Sequence, residues 1–195
     1  MKKMMAQWFR KYTIARKLKY LVRNKHFHSF DTAKTVGLVF KLRKDAAAVL
    51  PEVLSTIKFL TKKGIECAAV GYYDDVVLPE RLMSVSSASI FTKKELNWYG
   101  RPVSEEVDRF LHRGYDIVID FCREAEIFPV QYIVSSVQTS MIIGGVLYAH
   151  CPYDLIIDAQ QRCTLGGYVE QIKHYLSTIN NPQSIKLQTK IKYDE

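Results

Sequence analysis

Two six-residue stretches of this chain put an aspartate at each end of an aliphatic window: YDIVID at Tyr115–Asp120 and YDLIID at 153–158. If both are strands of a parallel sheet, Asp120 and Asp158 stand at its carboxyl edge, where open α/β sheets bind ligands. A carboxylate pair there can hold a divalent cation or a ribose hydroxyl. The competing reading is structural: an aspartate at a strand exit accepts hydrogen bonds from the turn that follows it. Lys41, Arg43 and Lys44 close the first aliphatic run and precede a helical stretch, whose free N–H groups would join the cations in an anion site. No glycine stands in FKLRKD, however, and neither GxGxxG nor a Walker sequence occurs. Gly166 and Gly167, with Arg162 nearby, open a helix and would let a phosphate approach the backbone closely.

His150, Cys151, Cys163 and His174 are four potential zinc ligands, but their spacing matches no finger or ribbon, so no metal is expected. His150 and Cys151 are neighbours, and neighbours in an extended chain point to opposite faces rather than forming a nucleophile–base pair. GxSxG and HExxH are absent. Trp98, in the turn NWYGRP, can stack on a base or sugar or can cover the rim of a core. No catalytic residue and no cofactor emerges from these patterns, and a non-enzymatic protein is expected.

Charge singles out a different region. The net charge is +8, yet residues 1–30 hold nine Lys/Arg (Lys2, Lys3, Arg10, Lys11, Arg16, Lys17, Lys19, Arg23, Lys25) and no Asp or Glu. The other 165 residues carry 19 basic and 20 acidic side chains, so all the excess sits on one arm. The arm lacks Gly and Pro and reads as a helix. Met1, Met5, Trp8, Tyr12 and Ala15 share one face, Lys2, Lys3, Arg10 and Lys17 fall opposite, and Lys19 interrupts the apolar stripe. Cations mixed with Trp8, Phe9, Tyr12 and Tyr20 suit phosphate contacts and stacking on RNA. They also suit an interfacial helix on anionic lipid, or a helix that packs its Met/Trp face on its own domain.

The remainder reads as alternating strands and helices. TVGLVFKL, IECAAVGYY, SASIFTKKEL, YDIVIDF, TSMIIGGV and YDLIIDA are the expected strands. Helices are expected from about Asp45 to Gly64, after the cap Ser104, over 127–138 and from Gly166 onward. Residues 74–85 show no period and read as loop. The alternation predicts a three-layer, mainly parallel α/β fold of the Rossmann or flavodoxin type, with helices on both faces and each YDxxID a central strand. The expected organisation is a basic arm and linker over 1–30, one α/β domain over 31–181 and a tail over 182–195. The longest apolar run, MIIGGVLYA, is too short to span a bilayer. No compact signal region follows the basic N-terminus, and the four cysteines form no CxxC pair, so a cytoplasmic protein is expected.

Across FTKKELNWYGRP, YDIVIDF, YIVSSVQTSMIIGG, YDLIIDA and YVEQIKHYLSTI the chain resembles an uncharacterised bacterial family, a domain of unknown function, over most of residues 25–180. YDIVID followed by SSVQTSMIIGG is also similar to the N-terminal half of heptosyltransferase-type glycosyltransferases. That resemblance implies a Rossmann-like half-fold and carries over no catalytic residue. Three functions follow as expectations: a binding module whose arm meets RNA or a ribonucleoprotein, a small-molecule or nucleotide-sugar-related binder using the carboxyl edge, and a peripheral membrane protein.

Overall fold

The computed structural model describes residues 2–21, 23–43, 49–124, 127–148, 150–157 and 164–178, with the side chains of Lys2 and Lys3 outside that set. Six strands form one parallel sheet: β1 Thr35–Leu42, β2 Glu66–Tyr73, β3 Ser89–Thr92, β4 Tyr115–Asp120, β5 Thr139–Gly144 and β6 Leu155–Ile156. Their spatial order is β3-β2-β1-β4-β5-β6, the order of dinucleotide-binding folds, with its reversal point between β1 and β4. The helices are α1 Lys2–Tyr20, α2 Val49–Lys62, α3 Glu80–Met83, α4 Glu105–His112, α5 Phe128–Val134 and α6 Leu165–Thr178.

Layering follows from the strand sequences. β1 is apolar over most of its length and buried on both faces, so both must be covered. Leu38, Phe40, Ile117, Ile119, Met141 and Ile143 pack against α2 and α6 through Val53, Leu60, Tyr168 and Ile172. Val39, Val118 and Ile142 meet α4 and α5 through Val107, Phe110 and Ile133 on the other face. Ser104 caps α4 by accepting from the Val107 N–H, and Gly114 ends that helix at φ +77°.

Several elements differ from the expectation, each for a local reason. YDIVID is a central strand between β1 and β5, but YDLIID contributes only Leu155 and Ile156 at the sheet edge. The strand expected over 87–96 stops at Thr92, because Thr92 and Glu95 form a reciprocal capping box that turns the next residues into a 3-10 helix. The apparently aperiodic stretch 74–85 contains α3, which has one buried residue, Leu82, and so leaves no period to read. The helix expected over 127–138 ends at Val134; six of its seven residues are buried, so it shows no amphipathic stripe to mark its end. The start expected for α2 at Asp45 lies outside the described residues, as does the tail at 182–195.

The arm is bonded to the body. Ile14 belongs to the core beneath α5, and the chain after α1 is tied to β5 and to α6, His26 N–H donating to the Ser140 carbonyl and Phe30 N–H to that of Leu176. The firmest tie is Arg23. Its guanidinium donates to the carbonyls of Thr139, Ser140 and Pro152 and pairs with Asp154, whose carboxylate also accepts from the Ile142 N–H. The two side chains are 5% and 7% exposed. Breaking a buried pair by removing one partner strands the other charge, which costs about 3–5 kcal/mol. Arg23→Ala should therefore lower the urea-unfolding free energy by about 3 kcal/mol or more, and pairing it with Asp154→Leu should recover part of the loss. A loss below about 1 kcal/mol, the scale of a surface pair, would contradict the buried clamp.

Candidate functional site

At the carboxyl edge, the structure uses the expected ligand-binding residues for its own bonds. Asp120 is 1% exposed; Oδ1 accepts from the Cys122 N–H at 2.8 Å and Oδ2 from the Tyr153 hydroxyl at 2.8 Å. The Tyr168 hydroxyl donates to its main-chain carbonyl at 3.0 Å. Tyr153 reaches Asp120 because Gly144 has no side chain: a Cβ there would stand 2.4 Å from the Tyr153 ring. Burial pushes the Asp120 carboxyl up to about 6, against the pull of the Cys122 and Tyr153 bonds. Asp158 lies outside the described residues, so no carboxylate pair can be assigned.

Lys41 Nζ stands 3.3 Å from Asp74 and 3.2 Å from Glu124, and Arg43 stands 2.6 Å from Glu124. Lys93 completes this network 2.9 Å from Asp74. Burial alone would raise the Asp74 carboxyl, but hydrogen bonds from Lys93 and Lys41 hold it below its ordinary value. These cations are already paired, and Lys44 and Arg162 lie outside the described residues. At the start of α6, a Cβ on Gly166 would sit 3.0 Å from the Glu52 carboxylate, and the Gly167 N–H donates to Thr164 Oγ1. A carboxylate thus stands where a phosphate would approach. Among the described residues no group of three or more His, Cys, Asp or Glu could hold a metal ion, and Cys163 is outside them.

The arm is arranged differently from the amphipathic expectation. Its Met/Trp face is turned to solvent: Met4, Met5, Trp8, Tyr12 and Ala15 are all exposed, Trp8 at 60%. The helix docks through Ile14, Phe9 and two cations instead. Arg10 donates to the Tyr99 carbonyl at 2.6 Å with its guanidinium over the Phe128 ring, and Lys17 Nζ lies 5.6 Å from the Tyr132 centroid. Helical periodicity locates a hydrophobic stripe but cannot see aromatic rings awaiting a cation on the facing surface. Exposure of Trp8 is therefore compatible with a docked arm.

Docking in this way builds a groove. Tyr12, Arg16, Lys17 and Tyr20 of α1 face Tyr99, Arg101 and Tyr132 across a cleft of about 420 Å³. Arg101 lies 5.3 Å from the same Tyr132 centroid as Lys17, so two cations share one ring. Among the described residues neither makes an ion pair. Lys17, Tyr20, Arg101 and Tyr132 also line an adjoining open cleft of about 720 Å³, which runs to the amino ends of β4 and β5. Its lining includes one carboxylate, Asp108. Outside the groove, Trp8 stacks on Tyr12 with ring centres 5.4 Å apart, and Lys11, Arg16 and Lys19 are exposed beside them. Trp98 packs edge-on against Phe9 while remaining largely exposed. Lys25 is exposed and meets Asp154 at 3.1 Å. The arm's seven described cations therefore divide: Arg10 and Arg23 are bonded to the body, Lys25 pairs with Asp154, and Lys11, Arg16, Lys17 and Lys19 remain exposed. Arg101 and Tyr132 escaped the sequence reading, because they come from a turn and a buried helix that only the fold brings to the arm.

A family model described as a family of unknown function, DUF6913, matches residues 7–179, and the chain belongs to that family. No curated protein and no solved structure matches it, and the similarity to heptosyltransferase-type enzymes gains no support from these comparisons. No described helix is long and apolar enough to cross a membrane.

The Asp120 environment gives a signed pH dependence. Its folded value near 6 exceeds the ordinary value of about 4, so its contribution to stability is full below about pH 4 and is lost as pH rises through 6. Asp120→Asn cannot titrate. Between pH 4.5 and 7.5 the wild type should lose about 2 kcal/mol relative to this variant in denaturant unfolding. A difference that stays flat across that range would contradict a buried, proton-holding carboxyl.

Proposed function

We propose that this member of the family is a binding module whose docked basic arm takes single-stranded RNA. The observation that carries the reading is the placement of Lys17 and Arg101 over one Tyr132 ring in a tyrosine-walled groove, with no ion pair to either among the described residues. Single-stranded nucleic-acid sites combine cations that track the backbone with rings on which bases stack, and stacking contributes about 1–3 kcal/mol per base. Here Tyr12, Tyr20 and the Trp8–Tyr12 stack supply rings, and Lys11, Arg16 and Lys19 extend the positive track along the outer face of α1.

A concave cleft favours a chain over a flat lipid surface. Lys19 also interrupts the outward apolar stripe that acyl chains would need to be continuous. The carboxyl-edge reading has less support, because Asp120 is closed from solvent and Lys41 and Arg43 are paired internally.

Fluorescence anisotropy with a labelled single-stranded RNA, measured from 50 to 300 mM salt, tests the proposal. Each phosphate contact contributes about 0.7 to the slope of log K against log salt. Lys17→Ala with Arg101→Ala should cut the slope by about 1.4 and weaken binding about tenfold at the lower salt, with an unchanged circular dichroism spectrum. Undiminished RNA binding by the double variant would overturn the assignment, as would co-sedimentation with anionic vesicles in a protein that ignores RNA.

A further inference from the structure

Resting on that RNA reading of the groove, we infer that Trp98 stacks a base of the same strand, at the end of an aromatic platform that continues the groove beyond Tyr12. The contacts between the rings, their exposure and the turn that carries Trp98 point there.

The platform is continuous ring by ring. Tyr12, which lines the groove, lies nearly parallel to Trp8 with ring centres 5.4 Å apart. Trp8 meets Phe9 edge-on at 5.1 Å, and Phe9 meets Trp98 at 5.0 Å. Tyr99 touches Trp98 at 5.2 Å and lines the groove itself, so platform and groove join at two places. Phe9 precedes Tyr12 and Thr13 by one turn of α1, which sets Trp98 at that end of the groove. Tyr20 marks the other end, about 16 Å further along the helix axis. Trp98 is 62% exposed, and the two rings that touch it stand at 77° and 74° to the indole plane, so neither lies parallel to it. Tryptophan is highly buried on average, and an indole this open departs from the usual role of sealing a core.

The turn beneath Trp98 is a fixed mount. Asn97 Oδ1 accepts from the N–H groups of Tyr99 and Arg101 at 3.2 and 2.9 Å, and the Asn97 N–H donates to the Arg101 carbonyl at 2.9 Å. Gly100 supplies the one left-handed residue of the turn, at φ +94°. The Arg10 guanidinium lies 3.1 Å from where a Cβ on Gly100 would stand and bonds the Tyr99 carbonyl, so the arm and the turn are fastened together. One short turn thus holds Arg101 over Tyr132 for a phosphate and displays Trp98 for a base. A rigid aromatic side chain binds at low entropy cost, and stacking on such rings is how sequence-tolerant single-strand sites hold bases. Salt dependence and stacking are carried by different residues and can be separated by experiment.

Trp8 and Trp98 are the two tryptophans of the chain, so intrinsic fluorescence reads the platform directly. In the full chain carrying Trp8→Phe, all indole emission comes from Trp98, and titration with single-stranded oligoadenylate should quench it. Inorganic polyphosphate, which brings the charge without the rings, should bind and leave that emission nearly unchanged. Trp98→Leu keeps an apolar cover over Phe9. It should weaken oligoadenylate binding about tenfold, while the salt slope and the circular dichroism spectrum stay those of the unaltered protein. RNA binding that depends on Lys17 and Arg101 but neither quenches Trp98 nor weakens in Trp98→Leu would overturn the platform and leave the groove standing. Quenching by polyphosphate as strong as that by RNA would also overturn it, because charge alone would then explain the signal. A protein that binds no RNA loses both readings together.

Discussion

Arg23 and Asp154 form the interaction on which the rest of the architecture depends. Removing two charges from water is costly, and a buried pair persists only where every remaining donor and acceptor finds a partner. Here the guanidinium meets three main-chain carbonyls from two strands' entrances, and the carboxylate takes the amide of Ile142 in β5. The pair therefore fastens the end of the arm to the sheet and holds the short edge strand β6 against β5. With that end fixed and Ile14 seated in the core, α1 has little freedom to turn, and its orientation decides which side chains the molecule displays.

That orientation inverts the usual amphipathic arrangement. Arg10 and Lys17 of α1 face the protein, where a carbonyl and aromatic rings receive them, and Met4, Met5 and Trp8 face out beside Lys11, Arg16 and Lys19. The exposed rings of such a surface leave apolar area in water, while its cations stay well hydrated. Covering that surface becomes favourable with a partner that supplies negative charge and flat rings together. The neutral body contributes Arg101 and Tyr132 to the same groove, so the arm and the body wall it together.

Much of the fold was legible in the amino-acid order because its cause is local. The nearly continuous apolar run of β1, the helix start at Ser104 and the central YDIVID strand all follow from residue types within a few positions of one another. Asp116, Asp120 and Asp154 were legible as strand brackets. Their partners were not: Asp116 accepts from the N–H groups of Lys34 and Thr35, and Asp154 serves Arg23, across separations of about 80 and 130 residues. The same limit explains YDLIID, whose letters nearly match a central strand but whose place at the sheet edge is set by which neighbours exist. Charge singled out the arm, and Lys11, Arg16, Lys17 and Lys19, which are exposed along α1, were among the residues it named. The docking face, Arg101 and Tyr132 were invisible, because cation–ring contacts obey no sequence period.

Amide hydrogen exchange along α1 in the unaltered protein tests the docked arm most directly. A helix clamped at Arg23 and seated by Ile14 should exchange slowly over residues 10–18, with protection that approaches the stability of the sheet. Exchange over those residues at the rate of an unstructured peptide, while β1 and β4 stay protected, would contradict it.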